Sequence, residues 1–557
     1  MTNRNMPVLR PVLAFLAFLA LALSWSLGTP LLSAADEPEQ TIKAAAVVRG
    51  EFAGPEHVWN FPGWQATYTT PDYLEVSYRL PHGLVAALAE HNPGCYAFRV
   101  DVTAACTARA DARTAAAAGD IAATHMDYSP LYYLLVGWPS LLLDGDDAIY
   151  GMRAAAAVIT AALLAAAYLC AARRRSAAAI GVVAATTPAA IYFGSVVNPS
   201  GLEICSALLV WTSFLAMVRA GTDGEGEDRG DAECGDVGGR RDGLLFTLSG
   251  ALLILTRPLG PVWFAMIVVL VLATRREPIR WLREAVRGRA ARLTGAALAC
   301  ALLAAAAWDT TQNTTGMVPK VNPRYTLATG AYLALQQTPN FLAQMLGLIG
   351  WNDVHVPAVT TVLWYGAIIA VLILAVALGD RRERLVLLAL AALIVVFPVV
   401  FEAYSAASYG SGWQGRYALP LAVGLPILGA EIVMRRLRAL SPDGALPRAL
   451  ASTFGIGVAV AYLCQVWWTW RRYAQGLAGT TIPMPAKWSP PLGWPAVLAL
   501  AALGCLGLLA LQSTRPRLGP SGDGVSRGSA AAGARQGDEA SWRSSELSTS
   551  LATDELP

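Results

Sequence analysis

The stretch PVLAFLAFLALALSWSLGTPLL, Pro11–Leu32, carries no charged residue and runs directly into SAADEPEQTIKAAAVVRGEF, Ser33–Phe52. Crossing a bilayer as a helix takes roughly 20 apolar residues, and the first stretch is that long. Two adjacent carboxylates, Asp36 and Glu37, therefore emerge where a hydrophobic segment ends. Ser33-Ala34-Ala35 offers the small residues that signal peptidase prefers, so cleavage before Asp36 is one reading. The apolar run exceeds the roughly 7–15 residues of a signal-peptide core, which favours retention as a first membrane helix.

The rest of the chain has the same character. Of its 557 residues 55% are hydrophobic and 15% charged. Soluble domains carry roughly 25% charged residues, so much of this chain lacks a water-facing side. A net charge of +3 with scattered basic residues gives no footprint for nucleic acid. Further apolar runs lie at 153–171, 177–197, 202–218, 296–308, 360–378, 385–401, 419–433, 451–467 and 494–511. The run 244–273 is broken by TRPLGP and reads as a hairpin of two short helices. Counting the hairpin as two, the expectation is an all-α integral membrane protein with about twelve membrane helices.

Arginine clusters at 173–175, 275–292, 381–384 and 435–438 fall on one side, which the positive-inside rule assigns to the cytoplasm together with both termini. Residues 1–512 then form one polytopic membrane domain, with 33–150 as a large extracytoplasmic first loop. The Gly-, Ser- and Asp-rich segments 219–243 and 513–557 read as disordered and cytoplasmic. Of eight cysteines, only Cys95 and Cys106 share the outward loop, so they are a disulfide or two free thiols.

The acidic stretch has a structural explanation as well. Asp36 with Glu39 three residues on fits a capping box, with Pro38 in the first helical turn and Gly50 closing the far end. Capping does not require Glu37. Arg257, between two apolar half-helices, would be costly unless it faced a cavity or an anion. Arg471 and Arg472, beside Trp467, Trp468 and Trp470, read as an interfacial aromatic belt. DGDD at 144–147 lacks the distal Glu of a calcium loop and reads as a solvated turn.

Several motifs recur in order on the outward side. They are ADEPEQTIKAAAVVRGEF from Ala35, YSPLYYLLVGWPSLL from Tyr128, NPSGLE from Asn198, LTRPLGP in the hairpin, IGWNDVHVP from Ile349 and WQGRYALP from Trp413. This order resembles the bacterial domain-of-unknown-function 2142 family of predicted polytopic membrane proteins, grouped with the GT-C glycosyltransferases. The resemblance runs from about the first helix to the last. It implies a GT-C-like fold in the plasma membrane with an outward active site, a polyprenyl-phosphate-linked sugar as donor and an envelope glycan or glycolipid as acceptor. Such enzymes place an acidic residue soon after the first helix, where Asp36 and Glu37 stand.

Transfer of this kind needs a base and a phosphate clamp. Asp36 is the candidate general base, with Glu37 as second choice or orienting partner. Arg416 and Arg257 are candidates for the donor phosphate, since guanidinium forks phosphate and stays charged. Arg416 has the alternative of an interfacial arginine reaching outward. His125, Asp127, Tyr128, Asn198, Gln414 and Tyr417 are possible substrate contacts, although Asn198 also suits a helix cap before Pro199. No compact ligand cluster calls for a metal, and no other cofactor is expected. A transporter or flippase is the first alternative. Such proteins place ionisable residues within their spans, which here are nearly free of Asp and Glu, with Glu203 and Arg257 keeping that alternative open. A non-catalytic envelope-assembly protein is the second.

Overall fold

The computed structural model describes residues 6–59, 72–109, 119–173, 178–219, 232–314, 316–319, 325–441 and 445–513. In chain order its helices are α1 Met6–Gly28, α2 Glu37–Val47, α3 His82–Glu90, α4 Pro130–Gly137, α5 Gly145–Arg173, α6 Ala178–Ala185, α7 Pro188–Phe193, α8 Pro199–Arg219, α9 Ala232–Thr256 and α10 Gly260–Ala273. They continue with α11 Pro278–Arg287, α12 Arg289–Thr311, α13 Leu327–Leu346, α14 Ala358–Leu378, α15 Arg381–Tyr409, α16 Gly415–Ala422, α17 Gly424–Leu440, α18 Ala445–Gln475 and α19 Gly493–Ser513. Among the described residues nine helical segments are long and apolar enough to cross a membrane: α1, α5, α8, α12, α14, α15, the joined α16 and α17, α18 and α19. The protein is a multi-pass, mostly helical membrane protein.

The expected twelve segments reduce to nine for local reasons. Residues 177–197 are not one span. Thr187 accepts a hydrogen bond from the Ala190 amide at 3.2 Å, and Pro188 opens a new helix. An N-cap followed by proline ends one helix and starts the next, so α6 and α7 are both short. The hairpin at 244–273 gives no span either: α9, with 25 residues, is long but carries Arg240, Arg241 and Asp242, and α10, with 14, is short. Helix α9 also begins at Ala232, inside the stretch expected to be disordered. The remainder of that stretch, 220–231, and the tail from 514 lie outside the described residues.

Helix α8 is the centre of the bundle and is buried along almost its whole length. Helices α5 and α9 pack on it, and α1 packs between α5 and α19. Small residues allow the close approaches that lipid-embedded helices depend on. A Cβ at Gly504 of α19 would sit 2.6 Å from Leu21 of α1, and one at Gly424 would sit 2.3 Å from the Trp211 ring on α8. At the arginine-rich end, Asp380 and Glu383 form a capping box on α15, and Glu383 also meets Arg435 and Arg219.

The spans are helical as expected, and one small sheet lies outside them. Strands β1 Glu56–Trp59, β2 Asp72–Arg79, β3 Ile121–Thr124 and β4 Met317–Val318 form a small antiparallel sheet with β2 at its centre. Strand β2 alternates Tyr73, Glu75 and Ser77 with Leu74, Val76 and Tyr78, the period-two pattern of a sheet with unlike faces. The sheet and α2 belong to the long segment between α1 and α5, with β4 reaching in from the α12–α13 connection.

Cys95 and Cys106 are disulfide-bonded, with Cα atoms 6.1 Å apart. The loop they close is held against α18 by Arg472, which donates to the carbonyls of Val102 at 2.6 Å and of Tyr96 and Arg99 at 3.0 Å. A disulfide closing so short a loop contributes about 2–3 kcal/mol by restricting the unfolded chain. Replacing both cysteines with serine is expected to speed tryptic cleavage at the exposed Arg99. Unchanged cleavage would mean that Arg472 alone holds the loop.

Candidate active site

The site is built on the turn between α1 and α2. Asp36 adopts φ +64, and Leu32 before it φ +60. Non-glycine residues rarely occupy this left-handed region, and they persist there when their surroundings fix them. Three distant segments do so here. The Ala35 amide donates to the Gly350 carbonyl at 3.2 Å, while the Ala35 carbonyl accepts from Asn198 Nδ2 at 2.9 Å and from Arg416 Nη1 at 3.3 Å. NPSGLE, IGWNDVHVP and WQGRYALP thus converge on one turn. The capping box expected at Asp36 and Glu39 is absent: Asp36 caps nothing, and its side chain turns elsewhere.

Asp36 and Glu37 have opposite fates. Glu37 is fully buried and clamped by Arg153 of α5, with Nε to Oε1 at 2.7 Å and Nη2 to Oε2 at 2.6 Å. Its oxygens also accept from the amides of Ala34 at 3.3 Å and Val197 at 3.2 Å. Arg153 spends its other donors on the carbonyls of Ser26, Thr29 and Pro30. The expectation that Glu37 is a second catalytic carboxylate is corrected: no substrate hydroxyl can reach it. It ties the end of α1 to α5 and to the entry of α8.

Asp36 remains 24% exposed and is paired with Arg416 Nη2, whose side chain is 2% exposed. The candidate base and a candidate phosphate ligand are thus direct partners. Arg257 lies nearby. Its guanidinium sits 4.6 Å from the Tyr417 ring centre and 5.2 Å from that of Tyr128, while Arg416 lies 5.3 Å from Tyr417 and 5.1 Å from Phe193. Two arginines thus flank Tyr417. Arg257 is countered by Glu203 at 3.1 Å and donates to Ser200 Oγ at 3.2 Å. The Nε atoms of both arginines are buried without a hydrogen-bond partner among the described residues. Such donors are costly unless something accepts from them.

Glu39 is a site carboxylate that the capping explanation hid. It lies one helical turn after Asp36, and its Oε2 is buried without a partner among the described residues. Burial, reinforced by Asp36, raises its pKa from 4.5 to about 7. Tyr73 and His125 complete this wall, their rings 4.4 Å apart. Burial pushes the Tyr73 phenol up to about 12 and the His125 imidazole down. A carboxyl whose folded pKa is raised stabilises the fold while protonated, and that contribution is lost as pH rises through about 7. Glu39→Gln should therefore flatten the fall in melting temperature between about pH 5 and pH 8. Equal slopes for variant and wild type would contradict the burial of this carboxyl.

Other expected contacts resolve differently. Asn198 is buried, and its Oδ1 accepts from the Ser200 amide at 2.9 Å, so it caps α8 and braces Ala35 instead of facing a substrate. Asp127 pairs with Lys43 at 2.7 Å, and Lys43 also donates to Tyr78 at 2.7 Å. Burial draws Lys43 down and Asp127 up, against their mutual attraction. This pair pins α2 to the sheet. Tyr128 lies buried beneath Arg257, and Gln414 stands half-exposed at the start of α16. The interfacial reading of Arg471 and Arg472 is corrected too: both are buried, and Arg472 meets Asp353 of the IGWNDVHVP turn at 2.5 Å. No group of three His, Cys, Asp or Glu among the described residues is placed to hold a metal ion.

A family model described as predicted membrane protein, domain of unknown function 2142, matches residues 18–425. The chain belongs to that family. Neither the curated proteins nor the solved structures give a match.

Proposed function

We propose that the chain is a membrane glycosyltransferase that moves a sugar from a polyprenyl-phosphate donor to a cell-envelope acceptor. In this reading both termini are cytoplasmic, and the Asp36 turn faces outward from a bacterial plasma membrane. One observation carries it: the partly exposed Asp36 stands against Arg416, with Arg257 across Tyr417. Base and phosphate ligands are then close enough to serve one reaction. As the acceptor O–H bond breaks, its proton passes to an Asp36 carboxylate oxygen. The acceptor oxygen bonds to the anomeric carbon, and the bond from that carbon to the phosphate oxygen breaks. The electron pair leaves with the lipid phosphate, whose growing charge is met by Arg416 and Arg257. A donor phosphate on Arg416 would also release Asp36 from its ion pair.

Glu203 and Arg257, which kept a transporter in view, are paired with each other. A buried pair of this kind is charge-compensated, so this position gives the transporter no lone titrating group. The purified protein in nanodiscs tests the reading through binding of polyprenyl monophosphate beside uncharged polyprenol. Wild type is expected to prefer the phosphate. Arg416→Gln should weaken phosphate binding roughly ten- to a hundredfold, the size of a lost charged hydrogen bond. Equal binding of the two lipids would remove the phosphate from the account.

A further inference from the structure

We infer that helix α11, Pro278–Arg287, is an in-plane anchor whose arginine face binds the anionic phospholipid headgroups of the leaflet on the arginine-rich side. This rests on observations at the opposite end of the bundle from the Asp36 turn and does not depend on the glycosyltransferase reading.

The sequence PIRWLREAVR places Ile279, Leu282 and Val286 on one face of a helix and Arg280, Arg283 and Arg287 on the adjoining face. None of its residues is buried by the rest of the chain. The apolar ridge stands open, with Ile279 66%, Leu282 47% and Val286 52% exposed. Alone in water such a ridge would be unfavourable, and so short a helix would be marginal. What covers it follows from its position. A single extended residue, Gly288, separates α11 from α12, a helix long and apolar enough to cross the membrane. A span that starts at Arg289 places α11 within a residue of the bilayer surface. Trp281 fixes which way it lies, with its ring 6.0 Å from that of Phe214 on α8 and 5.8 Å from the Arg275 guanidinium.

The charges choose the lipid. Arg280 is engaged along the helix with Glu277 at 3.1 Å and Glu284 at 3.0 Å. Among the described residues Arg283 and Arg287 make no ion pair, and Arg289 and Arg292 follow on the first turns of α12. A basic face beside an apolar ridge, held parallel to the surface, is the arrangement that seats apolar side chains at the acyl boundary and arginines on phosphates.

The test is hydrogen exchange of the 278–287 amides in the full chain, in nanodiscs of phosphatidylcholine alone or phosphatidylcholine with phosphatidylglycerol. Two arginines on anionic headgroups predict exchange roughly thirtyfold slower in the anionic discs, with the difference shrinking at high salt. Arg283→Gln with Arg287→Gln should abolish the lipid difference while α8 and α12 exchange as in wild type. Leu282→Ser with Val286→Ser should speed exchange in both discs. Equal protection in both lipids, unchanged by the arginine substitutions, would overturn the proposal. Fast exchange in both would do the same, since α11 would then be a solvated connector.

Discussion

Glu37→Gln is expected to cost about 3–5 kcal/mol of stability, because it leaves Arg153 as an uncompensated charge in a dry interior. Both partners are fully buried, and the pair is bidentate. Arg153 also satisfies three carbonyls between Ser26 and Pro30, where α1 ends and no helical partner is available to them. The loss should appear as a lower melting temperature and lower membrane abundance. Glu37→Gln combined with Arg153→Met should be less damaging than the sum of the two single changes, since no charge is then left unpaired. Wild-type stability for Glu37→Gln would contradict the assignment of this carboxylate as a structural tie.

Asp36→Asn is expected to behave in the opposite way. Asp36 is partly exposed, so asparagine there stays solvated while its Oδ1 can still accept from Arg416. Folding and abundance should stay near wild type, while glycosyl transfer falls by roughly 10²–10⁴-fold, the usual contribution of a positioned base. The contrast between neighbouring residues is the test: one substitution removes stability, the other removes turnover. A stable Asp36→Asn protein with unaltered transfer would leave Asp36 as a partner of Arg416 only.

Much of the membrane architecture could be read from the sequence, because a bilayer offers no water to unpaired backbone groups and so demands long apolar helices. The spans at α1, α5, α8, α12, α14, α15, α18 and α19 follow from that demand. The break at Thr186-Thr187-Pro188 had its own signal, a threonine before a proline, which was masked by the apolar residues on either side. Helix α13 lies between the apolar runs 296–308 and 360–378 and belongs to neither. Its apolar residues are interrupted by polar ones and by Pro339, so no continuous run marks it.

The candidate site could be drawn from the sequence as a set of residues but not as a set of pairs. Asp36, Arg416 and Arg257 were each identifiable from where charge meets an apolar run. That Asp36 and Arg416, 380 residues apart, are ion-paired is a property of the folded bundle alone. Glu37 looked equivalent to Asp36 because adjacency in sequence says nothing of direction. Asp36 stands before α2 in a left-handed conformation while Glu37 opens the helix, which sends Glu37 into the core and leaves Asp36 partly exposed. Glu39 was concealed by a capping pattern that the left-handed backbone of Asp36 prevents.

A transfer site for a lipid-phosphate-linked sugar at the Asp36 turn, as proposed above, must leave its mark on the envelope. The most direct measurement is mass spectrometry of envelope glycans and polyprenyl-linked sugars in a deletion strain complemented with wild type or Asp36→Asn at matched membrane abundance. Wild type is expected to restore a glycan missing from the deletion strain, while Asp36→Asn leaves it missing and lets the lipid-linked sugar accumulate. Full restoration by Asp36→Asn, with no build-up of lipid-linked sugar, would contradict that proposal.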